Sequence, residues 1–147
     1  MSYQHILVPV DGSAISLSAV QHGAILAKTF GSSLKLISVI AENPFNDADF
    51  YYASSIMKEY FVQAHANAQQ ALQEAYNIAQ QVGVEAKTEI ITGLVSAETI
   101  AEVAQKFHAD LIVIGSHGRK GFQKFVLGSF AQDVLGATEL PVLVIKA

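Results

Sequence analysis

Five short apolar runs, each the length of a strand, alternate along this chain with segments whose apolar residues repeat at helical spacing. They lie at 4–10 (HILVPV), 34–40 (LKLISVI), 86–91 (AKTEII), 110–115 (DLIVIG) and 141–146 (PVLVIK). Between the first two, residues 14–30 carry Leu17, Val20, Ala24 and Ala27 on a broad apolar face and stop at Gly31. Residues 54–82 place Ile56, Tyr60, Ala64, Ala68, Leu72, Ala75, Ala79 and Val82 on one side, before Gly83. Residues 96–107 set Ile100, Val103, Ala104 and Phe107 at i, i+3, i+4 and i+7, with Ser96 as a cap. A last periodic run, Phe130, Ala131, Val134 and Leu135, follows Ser129, which is suited to cap it.

Strands that alternate with helices pair in parallel, because right-handed crossovers lay the helices over both faces of the sheet. The first, fourth and fifth runs are nearly continuous in Val, Ile and Leu, as strands buried on both sides are. The expected fold is α/β: one doubly wound domain over 1–147, a five-stranded parallel sheet with helices on both faces. Pattern alone leaves two strand orders open, 3-2-1-4-5 and 2-1-3-4-5.

The fourth run breaks at once into Gly115-Ser116-His117-Gly118. Glycine permits positive φ, and its missing Cβ lets main-chain N–H groups approach a bulky anion. Nine residues separate Gly118 from Gly128-Ser129, and a helix start there offers free N–H groups that suit phosphate. Between the two glycine stations Arg119, Lys120 and Lys124 supply three of the nine cationic side chains in the chain, a concentration that suits a polyphosphate. No Gly-Lys-Ser/Thr occurs, so this is not a Walker A loop, and the spacing Gly115, Gly118, Gly121 is not the dinucleotide fingerprint.

The 147 residues are enough to bury a core, and although 51% of them are hydrophobic, no run approaches the roughly 18 to 20 apolar residues of a membrane span. Neither a basic segment nor a long apolar one follows Met1, and there is no cysteine, so a cytoplasmic protein without thiolate metal or redox chemistry is expected. A formal charge of −4 with no basic face argues against nucleic acid, whose binding is dominated by phosphate neutralisation.

Gly-x-x-Gly-x9-Gly-Ser after an apolar strand, here GSHGRKGFQKFVLGS, resembles the ATP-binding signature of the universal stress protein family. HILVPVDGS at the start and PVLVIK at the end resemble that family's first and last strands, so the likeness spans nearly the whole chain. The resemblance implies the order 3-2-1-4-5. In that order the winding reverses between the first and fourth strands, where ligands of open α/β sheets bind beyond the strands' carboxyl ends. Pro9, Val10 and Asp11 would then face Gly115 across one crevice.

The resemblance further implies ATP as ligand, with Mg²⁺ arriving on its phosphates. It gives Asp11 to the adenosine, main-chain groups at Val39 to the adenine, and Gly115, Gly118, Gly128 and Ser129 to the signature. A carboxylate accepts from ribose hydroxyls but repels phosphate, which puts the nucleoside at Asp11 and the anion at Gly118 to Ser129. Asp11 could equally cap the first helix, and Val39 could be core. Phe130 stands where the family commonly has a smaller apolar residue and would narrow the phosphate end. Arg119 could reach phosphate oxygens or be solvated, while His117, with no second ligand at metal spacing, reads as a polar loop residue. Gly93-Leu94-Val95-Ser96 replaces the family's frequent Gly-x-Pro, and the aromatic stretch 41–53 reads as rings packed on the sheet edge or a lid.

As an edge strand, Pro141 to Ile145 would need covering, and the family's dimerisation through its last strand implies a homodimer. No activated nucleophile or paired carboxylates can be assembled, so a nucleotide-dependent regulator or sensor with at most slow ATP hydrolysis is expected, with an unidentified protein partner. Two alternatives stay open: an enzyme of nucleotide chemistry acting through Asp11 and His117, and a nucleotide-free interaction module.

Overall fold

The computed structural model describes residues 2–42, 54–117 and 127–146. In chain order they form β1 (His5–Pro9), α1 (Ala14–Phe30), β2 (Ser33–Ala41), α2 (Ser55–Val82), β3 (Lys87–Gly93), α3 (Ala97–Phe107), β4 (Leu111–Gly115), α4 (Ser129–Ala137) and β5 (Val142–Ile145). The five strands make one all-parallel sheet in the order β3-β2-β1-β4-β5, which settles the choice left open by pattern.

Alternation along the central strands divides the core in two. Ile6 and Val8 of β1, Leu34 and Leu36 of β2, and Val113 of β4 pack under α1 and α2, against Val20, Ala24, Leu72 and Ala75. Leu7, Ile37, Ile112 and Ile114 point the other way, under α3 and α4, against Ile100, Ala104 and Val134. With a helix layer on each face, no residue of Ile6–Val8 retains exposed surface, which is why that strand's sequence does not alternate with polar residues.

Helix ends follow local chemistry. Ser13, Ser54 and Ser96 each accept a first-turn amide through their side chain. Asp11 is therefore not the cap of α1. It stands two residues earlier, and its Oδ1 accepts from the amide and the hydroxyl of Ser13, bracing the cap. Ser129 is not a cap either: the position belongs to Gly128, which has no side chain to make a cap bond, and Ser129 is the first helical residue.

The apolar face read along α2 is buried only in its second half. Ala68, Leu72, Ala75 and Ala79 lie in the core, whereas Ile56 is 78% and Tyr60 62% exposed. The reason is length: 28 residues rise about 42 Å as helix, and the 9-residue β2 they cover spans only about 30 Å. The aromatic stretch over 43–53 lies outside the described residues, so neither of its two readings has a structural counterpart.

One detail of the sheet positions the site. At its amino end β4 is tied to β1, since the Asp110 carboxylate accepts from the amides of Gln4 (2.8 Å) and His5 (3.0 Å). The β1–β4 ladder then stops at Leu7 and Ile112, while β1 stays paired with β2 through Pro9 and Ile37, and β4 with β5 through Gly115 and Ile145. A crevice opens at the carboxyl ends of β1 and β4, where the winding reverses.

Candidate functional site

The crevice holds a cleft of about 200 Å³. Pro9, Val10 and Asp11 reach it from the end of β1, Val39 from β2, Gly115 from β4 and Phe130 from the first turn of α4. Six of the ten residues singled out in the sequence thus meet in one hollow, although they come from four separate elements. Gly128 and Ser129 do not line it; they begin α4 immediately before Phe130. Gly118 and Arg119 lie outside the described residues.

Gly115 and Gly128 are needed for closeness rather than for unusual dihedrals, because neither has positive φ. A Cβ on Gly115 would sit 3.0 Å from the Ile15 side chain. One on Gly128 would sit 3.0 Å from the Ser116 carbonyl oxygen and 3.1 Å from the Cα of His117. Without those atoms α4 begins directly against the end of β4, with the Gly128 amide donating to the Ser116 carbonyl (2.7 Å). The Gln132 amide donates to the Gly128 carbonyl (3.0 Å), and the amides of Ser129, Phe130 and Ala131, one turn earlier, have no acceptor within the helix. They are oriented donors at the positive end of a helix, an arrangement that favours an anion.

Several lining residues carried no signal of their own in the sequence. Val95 is 62% exposed in the turn after β3, an apolar side chain in a connection, and together with Ile100, Ile114 and Ala131 it gives the cleft an apolar wall. Ser16 lines the opposite side, where its hydroxyl donates to the Ser13 carbonyl. His117, read as a polar loop residue, also faces the cleft. The wall suits a flat apolar ring, and the carboxylate of Asp11 suits hydroxyl donors.

Among the described residues no three His, Cys, Asp or Glu side chains are placed to hold a metal ion. Nor, among them, is any helix long and apolar enough to cross a membrane. Two larger hollows, of about 790 and 640 Å³, flank the outer edge of β3. They are grooves along the sheet's side, and neither shares a lining residue with the cleft at the switch point.

Comparison with known proteins agrees with this fold. Residues 2–146 match the model of the universal stress protein family. A universal stress protein of Methanocaldococcus jannaschii is 36% identical over 148 residues, covering 98% of this chain and 82% of its own length. Among solved structures, universal stress protein UspA from Lactobacillus plantarum superposes with a TM-score of 0.82 at 24% identity over 99% of both chains. A universal stress protein from Archaeoglobus fulgidus, solved in complex with dAMP, gives 0.71 at 24% identity over 99% of this chain and 100% of that one.

Proposed function

The chain belongs to the universal stress protein family, and on that premise we propose that it binds ATP in the β1/β4 cleft and acts as a homodimeric, nucleotide-dependent regulator in the cytoplasm. The observation that carries the reading is the shared cleft: the Asp11 carboxylate, one apolar wall and the start of α4 face the same hollow at the switch point. The dAMP held by the Archaeoglobus relative supports the same ligand class.

In this reading the base lies against Val39, Val95 and Ile100 and is met by main-chain groups at Val39. Oδ1 of Asp11 is engaged by Ser13, which leaves its second oxygen to accept from ribose hydroxyls. Pro9 and Val10 shape the floor below the sugar. The phosphates run away from Asp11, which would repel them, toward Gly115, Gly128, Ser129 and the α4 amides, with Gly118 and Arg119 on the connecting segment. Phe130 flanks that path. Mg²⁺ would travel with the phosphates and neutralise part of their charge.

A regulator fits better than a catalyst because the described lining residues include a single carboxylate and no nucleophile with a base held by a third group. The enzyme reading draws support from Asp11 and His117 facing one cleft. Multiple-turnover phosphate release, lost on changing His117 while ATP binding is kept, would favour it. Dimerisation through β5 fits the sheet, since β5 pairs with β4 on one side and Leu143 is 37% exposed. Native mass spectrometry of the intact protein tests both parts of the proposal: two chains carrying nucleotide are expected, and a single chain empty even with added ATP and Mg²⁺ would refute it.

A further inference from the structure

Along β2 the side chains of Leu34, Leu36, Ser38 and Ile40 alternate onto the face that α2 covers, and Ser38 interrupts an otherwise apolar row. The residue is 6% exposed, yet its hydroxyl has no hydrogen-bond partner among the described residues. Burying a hydroxyl without a partner is costly, which points to one that the chain does not itself supply. Ser38 lines a hollow of about 160 Å³ between the carboxyl end of β2 and α2. Ala64, Ala68 and Ala71 share one face of α2 and leave that room because their side chains stop at Cβ. Val10, Val39 and Ile40 complete the apolar lining, while Asp11 and Asn67 join Ser38 as its polar groups. Asn67 is exposed, and its Oδ1 accepts from Gln63 (2.9 Å). Oδ1 of Asp11 is engaged by Ser13, which leaves its second oxygen. The hollow shares Val10, Asp11 and Val39 with the β1/β4 cleft but opens on the α2 side of the sheet.

We infer that this hollow binds a small primary amine, its ammonium group donating to the Ser38 hydroxyl and to the second oxygen of Asp11, its alkyl part lying on the three alanines. One water needs about 15 Å³, so several would be required to fill the space, and most of what they met would be apolar. A ligand with donors at one end and hydrocarbon at the other satisfies the hydroxyl and buries that wall as well. Charge selects the donor. Asp11 is the charged side chain among the described lining residues, and the connection from β2 to α2 over 43–53 contains Asp47 and Asp49 but no Lys, Arg or His. Such surroundings repel an anion and strengthen a hydrogen bond from a cation. Amine binding does not depend on the nucleotide reading of the neighbouring cleft.

Probes that share one carbon skeleton test this: isopentylamine, isopentanol and isovalerate, titrated at neutral pH into the nucleotide-free protein while backbone amide NMR shifts are followed. The amine should bind most tightly, the alcohol about tenfold more weakly and the carboxylate not measurably, with shifts centred on Asp11, Ser38 and Ala68. Ser38→Ala should weaken the amine about tenfold, and Asp11→Asn should bring amine and alcohol within about twofold of each other. Ala64→Leu, which fills the hollow from its half-buried side, should abolish binding of both. Ser38→Ala removes a single unpartnered oxygen and is expected to fold, so the test does not hang on the bulkier variant. Probes that bind alike or not at all, shifts centred elsewhere, or folded Ser38→Ala and Asp11→Asn variants that hold the amine as wild type does would each overturn the inference and leave the hollow to water.

Discussion

The amide of Gly128 donates a 2.7 Å hydrogen bond to the carbonyl of Ser116, joining the start of α4 to the end of β4 across the eleven intervening positions of chain that begin at His117 and include the glycine motif's spacer. That bond sets where the first-turn amides of α4 lie relative to the cleft. Its length depends on there being no Cβ at 128.

Gly128→Ala should therefore weaken nucleotide binding at least about tenfold and cost about 1–3 kcal/mol of stability, because the new methyl meets backbone atoms at 3.0 and 3.1 Å that cannot rotate away. Gly136→Ala, where a Cβ meets nothing within 4 Å, should stabilise the protein by about 0.5 kcal/mol and leave binding unchanged. Titration calorimetry and chemical denaturation of the two variants make the comparison.

Asp11→Asn retains an acceptor for the Ser13 amide but removes the charge. Adenosine and AMP should both weaken by about ten- to a hundredfold, the worth of a hydrogen bond to a charged group, with little change in melting temperature. A variant that binds both as wild type does would assign Asp11 to bracing α1 alone.

Phe130 is 40% exposed and lines the cleft next to the α4 amides. Phe130→Val widens the cleft without touching those amides, so the affinity of ATP relative to AMP should rise. Stability should change by about 1 kcal/mol or less, since the ring is only half-buried. Parallel titrations with the two nucleotides measure the ratio.

Leu143 stands on the edge strand β5 with 37% of its surface exposed. A homodimer paired along that edge would be disrupted by Leu143→Glu, which sets two carboxylates into an apolar seam. Light scattering at low micromolar concentration should find wild type at twice its 15.7 kDa chain mass and the variant at 15.7 kDa.

Much of this protein is legible in the chain itself. The runs around Ile6–Val8 and Leu111–Ile114 are apolar on both faces, which only a covered parallel sheet satisfies, and Ser13, Ser54 and Ser96 mark helix starts by chemistry that is complete within four residues. The glycine pattern marks the stretch where backbone must come close to something.

What tertiary structure decided is whatever depends on distance between elements. Periodicity cannot tell that α2 outruns the sheet, so Ile56 and Tyr60 look like core until the helix and strand lengths are set side by side. Nor does it assign a cap between Gly128 and Ser129, because that choice follows from how closely α4 packs on Ser116 and His117. His117 and Val95 become parts of a site only when β4, the turn after β3 and α4 converge at the switch point. Local sequence determines dihedral preference and burial, which act between near neighbours; a binding cleft is a relation among residues far apart in the chain, and packing alone brings them together.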